Sequence, residues 1–137
     1  QVVLSGSPEA VKEVSGAVTC KRAIPLAVSG AFHSPFMAAA AAAFARELEA
    51  VSFAPATIPV LSNTDPTPSQ DGAVLKQRLL QQMTTGVRWR ETMERFGLER
   101  IDEAVEIGPG NVLSGLIKRS CPDLRCRQVA TAQDLET

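Results

Sequence analysis

Apolar residues recur in this chain with two different periods, and the switches between them outline an alternation of helices and strands. Ser7-Pro8-Glu9 has the marks of a helix start: a serine N-cap, proline at the first helical position and a carboxylate in the first turn. They predict a helix to about Val18. From Lys21 to Ser29, Ile24, Leu26 and Val28 alternate with Ala and Pro, the period-2 pattern of a strand with one buried face. Ser34-Pro35 can open the next helix, where Met37, Phe44, Leu48 and Val51 recur at helical spacing across the alanine run Ala38 to Ala43. Ile58 to Ser62 predicts a short strand whose inner Pro59 marks an edge or a bulge. Asn63 to Gln70 supplies turn residues.

Helical spacing returns from Asp71 to Met83, with Leu75, Leu79 and Met83 on one stripe, and again from Trp89, where Trp89, Met93 and Phe96 form a buried face that Gly97 ends. Ala104 to Ile107 predicts a strand and Gly108-Pro109-Gly110 a tight turn. Asn111 caps a last helix with Val112, Leu113, Leu116 and Ile117 as its core face. Strands alternating with helices imply an α/β class. The opening Gln1 to Gly6 reads as a strand already under way, without initiator methionine or polar leader, and predicts that the chain is a piece of something longer.

Composition narrows the function classes. The 137 residues are 45% hydrophobic, enough for one modest core, and 14 Lys and Arg against 15 Asp and Glu leave no basic field for nucleic acid. Apolar runs are too short for a membrane-spanning helix, which predicts a soluble, cytoplasmic protein with neither nucleic acid nor membrane as partner. Three cysteines, Cys20, Cys121 and Cys126, with one histidine give no zinc spacing, so no metal site is expected.

The candidate chemistry centres on that histidine, His33, at a predicted strand-to-helix crossover of the kind where clefts form. Imidazole suits proton transfer near neutrality, yet a lone histidine after a strand is more often structural when no partner is in sight. Gly108-Pro109-Gly110 reads as a plain turn rather than an anion site, because Pro109 removes a donor. Asp102, Glu103 and Glu106 alternate around a strand entry and are expected to be solvated. Lys118-Arg119 suits the negative end of the last helix dipole.

The run Val28-Ser29-Gly30-Ala31-Phe32-His33-Ser34-Pro35-Phe36-Met37 resembles the catalytic-histidine motif of the malonyl-CoA:acyl-carrier-protein transacylases, a motif shared by polyketide synthase acyltransferase domains. Three later blocks resemble the family in order: Pro59 to Asn63; Gln82-Met83-Thr84 with Val87-Arg88-Trp89; and Glu106 to Gly110 with Val112-Leu113 and Leu116 to Arg119. The likeness runs from Gln1 to Arg119, with the segment between Gly6 and Lys21 about one helical turn shorter than the family usually shows.

The resemblance implies the C-terminal part of an α/β-hydrolase-like acyltransferase domain, residues 30–137, preceded by part of a ferredoxin-like small subdomain, residues 1–29. It implies malonyl transfer from CoA to the phosphopantetheine thiol of acyl carrier protein through a serine ester, in fatty acid synthesis, with no cofactor and a monomeric full-length enzyme. His33 would be the general base and acid, the Gln82 backbone carbonyl would orient its ring, and Phe32 would shape the acyl pocket, since malonyl-selective domains carry Ala-Phe-His. Phe32 is equally readable as a core filler. The family's nucleophilic serine, in a Gly-His-Ser-x-Gly elbow, has no counterpart here, so the isolated chain is expected to be inactive. An acyltransferase of polyketide synthesis, or a non-catalytic fragment that binds carrier protein or CoA, remains open on the same residues.

Overall fold

In the computed structural model, which describes residues 1–135, the first unit of the chain runs from Gln1 to Arg88 and a second begins at Trp89.

The first unit is built on helices whose ends the sequence marks. Ser7 caps α1 (Pro8–Ala17) by accepting from the Ala10 amide, and proline fills the first turn, where its missing N–H costs nothing. Ser34 caps a 3-10 turn (Pro35–Met37) that leads into α2 (Ala38–Glu49). Met37, Ala41, Phe44, Ala45 and Leu48 make its less exposed face, and Leu48 is buried. Asp71 caps α3 (Gly72–Gln81) through two amides, those of Ala73 at 2.8 Å and Val74 at 3.1 Å.

Helix α3 is pinned along its length. At its start Gly72 lies so close to the Phe53 and Ala54 carbonyls that a Cβ would stand 2.3 Å from the first. Lys76 donates to the Val51 carbonyl at 2.8 Å, and the buried Arg78 donates to the Thr67 carbonyl at 2.7 Å and to Asp65 at 2.6 Å. The Thr67 amide, more than Arg78, holds the Asp65 carboxyl below its ordinary value.

Three expected strands are absent from this unit. Residues 1–6 and 21–29 form no ladder with any described residue, and Ile24, Leu26 and Val28 are exposed. A strand exists only by pairing its N–H and C=O groups with a neighbour. The alternating pattern marks a face fit for burial, but Val28 donates instead to Leu26 two residues back, a γ-type turn. The Ile58–Ser62 run reduces to a single antiparallel bridge, Val60 with Ser69, as its inner proline suggests.

The second unit is a βαβ arrangement preceded by a helix. α4 (Trp89–Leu98) continues one residue past Gly97, and the chain leaves it through Arg100 in the left-handed conformation. β1 (Glu103–Ile107) pairs in parallel with β2 (Arg125–Val129), in register Glu103 with Arg125 through Ile107 with Val129, and α5 (Val112–Ser120) connects them. Met93, Ile117 and Leu124 are the buried core, with Trp89, Phe96, Ala104, Cys121 and Cys126 packed on it. Of the expected core face of α5, Ile117 is buried, while Val112 and Leu113 are exposed.

Glu106, expected to be simply solvated, is bonded within the fold. Asn111 stands at the N-cap of α5 without a side-chain bond, and the Glu106 carboxylate takes its place, accepting from the Leu113 amide at 3.1 Å and the Ser114 amide at 2.8 Å. The Ser114 hydroxyl donates to it as well, at 2.5 Å. A carboxylate at a helix N-terminus satisfies amides that have no intrahelical partner and meets the positive end of the dipole. Chiefly through the Ser114 hydroxyl, then the two amides, the Glu106 carboxyl is held below its ordinary value.

A pH dependence follows from that lowered value. Because the folded value lies under the unfolded one, the stabilisation is complete above the ordinary glutamate range, near 4.3, and is lost as pH falls through the lowered value. Trp89, the single tryptophan, reports unfolding of this unit by fluorescence. Glu106→Gln should lower the urea midpoint at pH 7 and narrow its gap to the wild type below about pH 4. A constant gap across that range would remove the carboxylate from this account.

Candidate active site

The C-terminal turn of α3 ends in carbonyls that the helix itself cannot satisfy. Gln82, the C-cap residue, offers one of them, and the His33 ring fills it: Nδ1 lies 2.7 Å from the Gln82 carbonyl oxygen. A carbonyl oxygen has only lone pairs to give, so Nδ1 is the donor. In the neutral ring Nε2 then carries the lone pair, the form in which imidazole accepts a proton.

The backbone that carries His33 is itself constrained. His33 has φ of 57°, one of two non-glycine residues with positive φ among those described. For an L-residue this region costs about 1–2 kcal/mol, so surrounding contacts must over-determine it. Two hydroxyls flank it. Ser5 donates to the Phe32 carbonyl at 2.7 Å, and Ser34, 6% exposed, donates to the Ala31 carbonyl at 2.6 Å while accepting from the Phe36 amide at 3.3 Å.

On the Gln82 side, the Asn63 amide donates to the Gln82 side-chain oxygen at 3.2 Å, and the Asn63 carbonyl accepts from the Arg88 amide at 2.8 Å. A cavity of about 450 Å³ opens beside this pair, walled by Phe53, Val60, Leu75 and Leu79 with Asn63 and Gln82 at its polar edge. Phe32 does not line it. That ring is 47% exposed and lies over Gly30, next to His33 in sequence.

The structure therefore joins His33 to Gln82 and leaves Phe32 at the surface. Sequence assigned Ser5, Ser34 and Asn63 no role of their own in the site: Ser34, with a capping signal, and Asn63 stand within family-like blocks, and Ser5 within the opening run. No cluster of three or more metal-ligating side chains occurs among the described residues, and no helix is long and apolar enough to cross a membrane.

No protein-family model matches the chain. The malonyl CoA-acyl carrier protein transacylase of Synechocystis is 50% identical over 137 residues, all of this chain and 47% of the relative. The crystal structure of the Synechocystis protein superposes with a TM-score of 0.91, over 96% of this chain and 45% of that one. By sequence and by fold, the chain is a homologue of the malonyl CoA-acyl carrier protein transacylases. The transacylase of Bacillus subtilis is 36% identical over 99% of this chain and 44% of its own length. A malonyl-transacylase solved in complex with a type II PKS acyl-carrier protein, 36% identical, superposes with a TM-score of 0.87 over 96% of this chain and 44% of that one. The chain thus spans under half the length of the transacylases it matches. Its mixed α/β architecture is theirs over that span.

Proposed function

We propose that these residues supply the base half of a malonyl-CoA:acyl carrier protein transacylase, with His33 alternating as general base and general acid. The hydrogen bond from His33 Nδ1 to the Gln82 carbonyl carries the reading, because it leaves Nε2 as the free acceptor that an incoming hydroxyl needs. The nucleophile lies outside these residues: the single histidine follows Phe32, so no Gly-His-Ser sequence occurs in them.

In the first half-reaction Nε2 takes the proton of a serine hydroxyl as its oxygen attacks the malonyl thioester carbon. The tetrahedral adduct collapses, the carbon–sulfur bond breaks, and Nε2 returns the proton to the CoA thiolate, leaving a malonyl-serine ester. In the second half, Nε2 takes the proton of the phosphopantetheine thiol as its sulfur attacks the ester, and gives it back to the departing serine oxygen. No cofactor enters either step. A neutral carbonyl behind the ring fixes its tautomer, without the charge stabilisation that a carboxylate adds to the imidazolium.

The finer assignments belong to the same proposal. Residues 1–29 would belong to a ferredoxin-like subdomain and residues 30–137 to the α/β-hydrolase-like body of a cytoplasmic enzyme. Phe32, whose ring is free to face a partner surface, would disfavour a methylmalonyl group by the roughly 1–3 kcal/mol that one methyl commands. The neighbour bound to a type II PKS acyl-carrier protein supports a second carrier class, that of polyketide synthesis.

A chimaera tests the reading. These 137 residues match the Synechocystis transacylase without remainder on this side, so they can replace the corresponding 47% of it. The chimaera should move malonyl from CoA to phosphopantetheinylated carrier protein, and the isolated chain should not exceed a buffer control. A folded but inactive chimaera would overturn the assignment.

A further inference from the structure

We propose that Ser34, assisted by Ser5, is a positioning residue that holds His33 in its left-handed backbone conformation and so fixes the ring in the Nδ1–H tautomer. The inference rests on the base role of His33 for its functional meaning, although its physical content stands apart from activity.

The chain on either side of the strained residue is tied down. A residue at φ of 57° returns to a common conformation unless its neighbours prevent the adjoining peptides from rotating. The peptide before His33 presents the Phe32 carbonyl, and the Ser5 hydroxyl, 27 residues away, holds it at 2.7 Å. The residue after it is Ser34, in extended conformation at φ −138° and ψ 166°. Its hydroxyl is used twice, as donor to the Ala31 carbonyl and as acceptor from the Phe36 amide. One buried side chain thus closes a bridge from Ala31 to Phe36 that encloses His33.

Capping alone does not explain this arrangement. A serine at a helix start needs only to accept from an amide, as Ser7 does for Ala10. Ser34 does this and also donates backward to Ala31 at 2.6 Å, across His33. The consequence reaches the ring because the reach of Nδ1 to the Gln82 carbonyl depends on where the His33 Cα–Cβ bond points. If the backbone relaxes, Nδ1 withdraws, and nothing then disfavours the tautomer with the proton on Nε2, which cannot accept a hydroxyl proton.

The chain has one histidine, so its imidazole can be read without assignment ambiguity. Long-range proton–nitrogen correlation on the labelled 137-residue chain at about pH 9, where an ordinary imidazole is neutral, reports the tautomer directly. The wild type should show the Nδ1–H form. Ser34→Ala should raise the ratio of Nε2–H to Nδ1–H about fivefold or more, the scale of one lost hydrogen bond, and Ser34→Thr, which keeps the hydroxyl, should restore it. Ser5→Ala, at an exposed position, should move the ratio in the same direction by less.

A purely structural cap predicts something else. Ser34→Ala would then lower the unfolding midpoint while folded molecules kept the wild-type ratio, and that result would overturn the proposal. If Ser34→Ala does not fold, an unchanged ratio in Ser5→Ala does the same. Failure of the chimaera to transfer malonyl would instead count against the transacylase reading, with the tautomer result untouched.

Discussion

His33→Ala, placed in the chimaera with the Synechocystis transacylase, is expected to lower malonyl transfer about 10²–10⁴-fold or more, the usual cost of losing a general base. The fall should lie in kcat, with the KM for malonyl-CoA little changed, because the imidazole acts on protons in motion rather than on the bound thioester. Stopped-time transfer assays with labelled malonyl-CoA would measure both. Gln82→Ala provides the contrast. It keeps the main-chain carbonyl that orients the ring and loses only the side-chain bond from Asn63, so its rate should remain within a few-fold of the parent. A His33→Ala variant near parental rate would place the base elsewhere.

Gly72→Ala is expected to destabilise the first unit by about 1–3 kcal/mol or more, since overpacking against atoms that cannot turn aside forces backbone shifts. The new methyl would stand 2.3 Å from the Phe53 carbonyl oxygen and 2.9 Å from that of Ala54, both main-chain atoms. Relief requires moving the start of α3 off the 53–54 segment, against the Lys76 and Arg78 bonds that tie the same helix down. The other end of α3 presents the Gln82 carbonyl, so the variant should also loosen the His33 ring. Gly115→Ala serves as the control: it sits inside α5 with nothing within 4 Å of a built Cβ, and should stabilise by about 0.5–1 kcal/mol. Urea unfolding followed by circular dichroism distinguishes the two signs, and equal midpoints for Gly72→Ala and the parent would show that the segment yields.

Helices were legible in the sequence to within a residue or two because their signals are local. Ser7, Ser34 and Asp71 each stand where a cap is needed, and the 3.6-residue stripe of α2 or α3 requires no knowledge of the rest of the chain. Strands depend on what lies beside them. β1 was legible, but its partner β2, Arg125-Cys126-Arg127-Gln128-Val129, has little strand character of its own and is fixed by pairing. Conversely, the segment at 21–29 has the pattern without a partner among the described residues.

The site divides in the same way. His33 stood out as the single imidazole, whereas nothing in spacing links it to Gln82; only the family resemblance names that pair, and the structure shows the bond between them. Glu106 looked like a solvated charge because alternation says which face a residue takes, not that a helix N-terminus will arrive above it. Ser5 and Ser34 carried no chemical signal, since their work depends on a backbone angle that no residue pattern announces.

The His33–Gln82 bond spans 49 residues of chain, which sets the order in which the site can come into being. Local helices nucleate on their own caps, but a contact across such a span forms only after the closure entropy of the intervening loop has been overcome. During synthesis the imidazole therefore emerges well before its orienting carbonyl and passes through a period with no defined tautomer.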